Sequence, residues 1–268
     1  MGVTNKVCLG ALYVFTACAV AGFAIFGRHP ELLARYPGAQ PIYLNAFTFF
    51  ARAQVLLAFV VLALALISKA GSRWIVAFSV TYSLSLGSEL LGTTRGIPFG
   101  PYQYTDGLGL KWFGHVPLLI PLSWFTMALP SYAIARRLGT RRVRSIVLGA
   151  LILLSWDLAL DPAMSRVTTY WTWSGTGAYY GMPWLNLLGW FITGLVLMLA
   201  LDRLGAARWA APVTLEWLMA FYAANLLLPF GMNAAAGFWL ANAVTLAALV
   251  GTLLLARVEL RSYARALT

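Results

Sequence analysis

Residues 53–105 read "AQVLLAFVVLALALISKAGSRWIVAFSVTYSLSLGSELLGTTRGIPFGPYQYT". No charge interrupts 53–68. A basic break from Lys69 to Arg73 follows, and then a second apolar run that reaches Glu89 and gives way to glycine, proline and tyrosine. A helix needs about 20 apolar residues to cross the ~30 Å hydrocarbon core of a bilayer, and both runs approach that length. The whole chain keeps to this pattern, since 61% of its 268 residues are hydrophobic and only 10% are charged, against about 25% in soluble domains. The expected fold is an all-α integral membrane protein, a single polytopic domain over residues 1–268.

Eight candidate spans lie at about 7–26, 46–67, 74–91, 116–135, 145–160, 183–201, 212–228 and 234–256. The third and fifth are short and acidic at one end, and only "PFGMN" separates the last two, so seven is the alternative count. Cytoplasmic loops collect lysine and arginine, and the eight-span arrangement sorts the charges well. Lys6, Lys69, Arg73, Arg136, Arg137, Arg141, Arg142, Arg144, Arg203, Arg208, Arg257, Arg261 and Arg265 fall on one side. Arg28, Arg35, Arg52, Arg95, Lys111 and Arg166 fall on the other. This places both termini in the cytoplasm and the protein in the cell membrane. The net charge of +11 then reflects short loops beside anionic lipid and gives no reason to expect nucleic acid as a partner.

Cys8 and Cys18 lie ten residues apart in the first span, about 15 Å along a helix, so they do not pair. No cysteine or histidine spacing suits a metal. The two halves share no interrupted helices of the kind that mark inverted-repeat transporters.

The loops are asymmetric. Those on the basic side are short, whereas 92–115 and 161–182 are rich in Tyr, Trp, Gly, Pro and Thr. Irregular backbone near a membrane must be satisfied by protein or water, so these two loops are expected to cap the non-cytoplasmic mouth of the bundle.

Ionisable groups within spans are costly and mark function by default. Glu89, Asp157 and Asp161 share one depth in the spans, and Asp157 and Asp161, in "WDLALDP", stand one turn apart on a helical face that Pro162 ends or bends. Carboxylates gathered at the edge of an apolar space do not all ionise, so a neutral, proton-donating acid is expected. The competing structural reading pairs each acid with Arg95, Arg166, Lys111 or a loop amide. Glu216, near a helix start, reads as structural, and His115 is a candidate proton relay. Around the acids stand Tyr102, Tyr104, Trp156, Trp171, Trp173, Tyr179, Tyr180 and Trp184. Such residues form interfacial belts, but aromatic faces also stabilise cations. Asn186 and Asn225 would bind a neighbouring helix or hold a water.

Four segments, "ELLGTTRGIPFGPYQYT" (89–105), "VPLLIPLSWF" (116–125), "WDLALDPAMS" (156–165) and "WTWSGTGAYYGMPWLNLLGWF" (171–191), together resemble the CruF family of carotenoid hydratases. The resemblance implies cofactor-free addition of water to the terminal double bond of an acyclic ψ end group, as in γ-carotene or lycopene, giving a tertiary 1'-hydroxy carotenoid. Protonating such an alkene requires a desolvated acid and yields a tertiary cation that water captures. Asp161 or Asp157 is the expected donor and Glu89 the base or water-holder. The tyrosine and tryptophan faces, with Asn186, are expected to bind substrate. The expected partners are a carotenoid from the bilayer, water, lipid and other enzymes of carotenoid synthesis. A proton-coupled transporter and a non-catalytic carotenoid-binding protein are the alternatives from other classes.

Overall fold

The computed structural model of the chain describes residues 2–138 and 141–266. Among them, eight helices reach 20 residues or more: α1 Val3–Gly22, α2 Gln40–Ala70, α3 Arg73–Arg95, α4 Leu119–Leu138, α5 Arg142–Asp161, α6 Trp184–Arg203, α7 Leu215–Ala235 and α8 Trp239–Ala266. Seven of the eight are long and apolar enough to cross a membrane by length and composition, which makes this a multi-pass membrane protein.

The exception is α4, and it is the most enclosed of the eight. Every residue from Trp124 to Ala135 is buried. A helix surrounded by protein has no lipid-facing stripe to supply, so α4 can carry Ser131, Thr126, Tyr132 and an internal Pro130. The alternative count of seven was expected to arise at the third, fifth, seventh or eighth run, yet each of those qualifies.

One proline reading needs correction. "PFGMN" does not separate the last two helices: Pro229 lies inside α7, and the break comes at Gly237, whose φ is +80°. A helical proline removes the N–H that the carbonyl four residues earlier would accept. Here that carbonyl belongs to Asn225, and the indole of Trp156 donates to it at 3.3 Å. Pro162, read as ending or bending its helix, does close the α-helical part, which stops at Asp161. The chain continues as a π-helical turn, Pro162–Val167, and Tyr179 donates its hydroxyl at 2.7 Å to the freed carbonyl of Leu158. An outside donor thus replaces each missing backbone bond, as a proline within a membrane helix requires.

Polar ties gather one set of helix ends. Asn5 of α1 reaches Ser68 of α2 at 2.8 Å, and the Trp217 indole reaches the carbonyl of Asn5 at 3.3 Å. Arg137 binds the Ala133 and Val213 carbonyls, and Arg142 pairs with Asp202. At the opposite end the loops predicted to form a cap do so jointly. Strand β1, Tyr102–Tyr104, pairs antiparallel with the later strand Trp171–Trp173, placing Tyr102 opposite Trp173 and Tyr104 opposite Trp171. Alternation along a strand leaves Gln103 and Thr172 outermost and turns the four aromatics toward the bundle. Lys111–Trp112 and Val116–Pro117 form a second small ribbon.

Candidate active site

Beneath the aromatic ribbon, α3 contributes Glu89, and α5 contributes Asp157 and Asp161. Their residues are 4%, 1% and 1% exposed, and all three line one cavity of about 40 Å³. A single water needs roughly 10–15 Å³ measured this way, so the space holds one to a few waters. Phe99, Trp124 and Trp190 complete much of the wall.

The donors around the three acids differ. Glu89 accepts from the hydroxyl of Tyr102, from that of Tyr104 at 2.8 Å and from the Trp124 indole at 2.9 Å. Asp161 accepts from the indoles of Trp171 at 2.7 Å and Trp173 at 3.2 Å, with the Ser165 hydroxyl at 3.4 Å. Among the described residues, Asp157 receives only the amide of Asn186, at 3.2 Å. An ionised carboxyl is acceptor-only, whereas a protonated one also donates. Glu89 and Asp161 are each supplied with three neutral donors, and Asp157 with the fewest of the three acids. Burial, and then the Glu89 carboxylate beside them, hold the Tyr102 and Tyr104 phenols well above their ordinary range, so both remain donors.

The pairing of these acids with cations, one form of the structural alternative, does not occur among the described residues. Lys111 binds the exposed Asp106 at 2.7 Å and the carbonyl of Tyr104 at 2.8 Å, and it holds the Asp106 carboxyl below the usual range. Arg166 donates to the Tyr180 carbonyl, and Arg52 to that of Gly107 at 3.0 Å. Among the described residues, no three His, Cys, Asp or Glu side chains are placed so that together they could hold a metal ion.

The loop 96–101 is seated by two glycines. A Cβ at Gly92 would lie 2.8 Å from both the Phe99 ring and the Tyr102 hydroxyl, and one at Gly189 would lie 2.6 Å from the Phe99 ring. Phe99 thus wedges between α3 and α6 where neither helix carries a side chain, and this lowers Tyr102 onto Glu89.

Of the residues singled out from sequence, the fold brings Glu89, Asp157, Asp161, Tyr102, Tyr104, Trp171, Trp173 and Asn186 to the cavity. Trp156 lines the adjoining chamber and serves α7 as described. Tyr179 supports the Pro162 bend, Tyr180 stacks on Phe238 at 4.7 Å, and Trp184 is 67% exposed; none of the three lines the carboxylate cavity. His115 is exposed in the turn of the second ribbon, also away from it. Trp124 and Trp190, stacked at 4.0 Å, were not anticipated as site residues. Each sits in an apolar run where a tryptophan reads as core, and only the central position of α4 puts Trp124 against Glu89.

A family model described as "Carotenoid biosynthesis protein" matches residues 50–253. Among curated proteins, the bisanhydrobacterioruberin hydratase of Haloarcula japonica is 32% identical over 171 residues, covering 57% of this chain and 58% of the relative. The chain thus spans a little over half the length of that protein. No solved structure matches it. The matched span holds all three carboxylates and their donors, it agrees with the motif resemblance in 89–191, and the chain belongs to the carotenoid biosynthesis protein family.

Proposed function

We propose that this protein is a carotenoid hydratase that adds water to the terminal trisubstituted double bond of an acyclic ψ end group. The observation that carries the reading is the cavity itself, a water-sized space bounded by three buried carboxyls and walled by aromatic faces, with no cation paired to those carboxyls among the described residues. Family membership and the printed name of the relative, a hydratase, support the same reaction class.

The carboxyl of Asp157 gives its proton to the less substituted carbon of the terminal alkene. The π bond breaks, a C–H bond forms, and the neighbouring carbon becomes a tertiary cation. The indole faces of Trp171 and Trp190 and the ring of Tyr102 border the space where that charge develops, and such faces contribute up to about 2 kcal/mol when desolvated. A water held against Glu89 attacks the cation through oxygen and passes a proton to Glu89, leaving the tertiary alcohol. That proton returns to Asp157 through the water chamber, so the sum is alkene plus water and needs no other reagent. Asp161, fixed by Trp171 and Trp173, stays anionic and lowers the energy of the nearby cation.

Substrate reaches the site from the bilayer, and we place both chain ends on the cytoplasmic side of the cell membrane, following the basic loops. Contact with other enzymes of carotenoid synthesis belongs to the same reading.

Co-expression with the synthesis of an acyclic carotenoid, followed by mass analysis, tests the reading. Gain of one water per acyclic end by the wild type is the expected result. Pigment that co-purifies unchanged would instead favour a non-catalytic binding protein and overturn the reading.

A further inference from the structure

The carboxylate cavity is not isolated. Ile120, Ser123, Leu160 and Trp171 line it and also line a second chamber of about 80 Å³. Ala51, Met164 and Leu228 border that chamber and, from their other side, a cavity of about 330 Å³ between α1, α2 and α7. Three spaces thus run in series from the bundle flank to the acids.

We propose that this series is a single channel for a long isoprenoid polyene, admitted laterally from the bilayer beside Cys18 and Phe26, with its end group delivered to the carboxylates. The inference deepens the hydratase reading and rests on it for the identity of the substrate. Four observations carry it. The innermost space has room for only one to a few waters, so the body of a long substrate must lie elsewhere. The outer cavity is walled almost wholly by apolar and aromatic side chains, among them Phe23, Phe47 and Phe50. Cys18 and Phe26 are both exposed, the latter by 39%, on a helix that itself qualifies as a membrane span, so the mouth faces lipid.

The fourth observation comes from two residues that packing alone does not explain. Gln54, 5% exposed, lines the middle chamber; its carbonyl accepts from Thr16 at 3.0 Å, but its amide nitrogen has no partner among the described residues. Buried donors of this kind are rare, and a polyene passing through the chamber would offer its π face to the N–H. Gly22 lies in helical conformation, φ −58°, on the cavity wall, and a Cβ there would meet nothing within 4 Å. Glycine is a poor helix residue, and no neighbouring atom forbids a side chain here; its absence leaves open space at the cavity wall.

Gly22→Phe directs a ring into that space. In proteoliposomes the variant is expected to lose at least tenfold in kcat/KM for a full-length acyclic carotenoid. It should keep hydration of a short acyclic terpene bearing the same terminal alkene within about twofold. Undiminished carotenoid hydration by Gly22→Phe, with an active wild type, overturns the channel and leaves the hydratase reading intact. An inactive wild type overturns that reading instead, and a second measurement then decides the channel. Alkylation of Cys18 by N-ethylmaleimide, followed by peptide mass spectrometry with Cys8 as internal reference, is expected to slow several-fold in vesicles containing the carotenoid. No slowing, or equal slowing by a saturated lipid of similar length, overturns the polyene channel.

Discussion

The two ends of the bundle treat buried acid in opposite ways. At the basic end Asp202, its side chain 6% exposed, is paired with Arg142 and accepts from the Tyr132 hydroxyl at 2.9 Å. At the loop-capped end Glu89, Asp157 and Asp161 are at least as buried, but their donors are phenols, indoles, an amide and a hydroxyl. A guanidinium cancels a carboxylate and removes it from proton chemistry, since Arg stays charged at any accessible pH. Neutral donors orient a carboxyl without cancelling it, so the loop-capped end retains groups able to give and take protons. The same residue type thus serves as a tie between α5 and α6 at one end and as candidate chemistry at the other.

The sharpest test of this contrast replaces one acid at each end. Asp157→Asn is expected to lower hydration by about 10²–10⁴-fold, the usual range for a general acid, while membrane insertion and detergent-solubilised yield are unchanged. Asp202→Asn should leave turnover per folded molecule as it was. If both variants behaved alike in a coupled pigment assay, the contrast would be broken.

Gly92→Ala comes next in size. The added methyl collides with Phe99 and with the Tyr102 hydroxyl and shifts a hydrogen bond to a charged group, worth about 1.5–3 kcal/mol. Roughly tenfold slower hydration is expected, with Gly92→Ser no better, since its Cβ meets the same atoms. Wild-type rates in either variant would mean that Tyr102 does not hold Glu89 in place.

At the opposite end, Arg142→Gln strands the Asp202 carboxylate with Tyr132 alone. Because the Arg142 side chain is 57% exposed, solvent softens the loss to about 1–2 kcal/mol, visible as a lower thermal midpoint in detergent. Hydration at a temperature where the variant is fully folded is expected to be normal.

The smallest effect concerns the cap itself. Burial pushes the Tyr170 phenol up to about 12, and its hydroxyl donates to the Phe47 carbonyl of α2 at 2.9 Å. The unfolded phenol ionises near 10, so from about pH 10 to 12 the unfolded state holds fewer protons and stability falls as pH rises. Tyr170→Phe should flatten part of that decline in a pH series of thermal midpoints, and an unchanged slope would count against the assignment.

The class of fold and the positions of the long helices were legible in the sequence, because desolvating backbone in a bilayer leaves few options and apolar runs of about 20 residues are conspicuous. The sequence also singled out the three acids that share the cavity, since an acid within such a run has no inexpensive explanation, and it placed Tyr102, Tyr104, Trp171 and Trp173 near them. Tertiary structure alone decided what each aromatic does. Tyr179 and Trp156 donate to carbonyls that Pro162 and Pro229 leave free, a task set by which helix lies alongside. Trp124 reaches Glu89 across 35 residues of chain because α4 occupies the middle of the bundle. Asp202 went unmarked as a buried acid for the same reason: beside Arg203 it reads as part of a solvated loop, and only the packing of α5 against α6 encloses it. Periodicity and hydropathy report how a segment meets its solvent; which neighbour replaces that solvent is settled by packing between segments far apart in the chain.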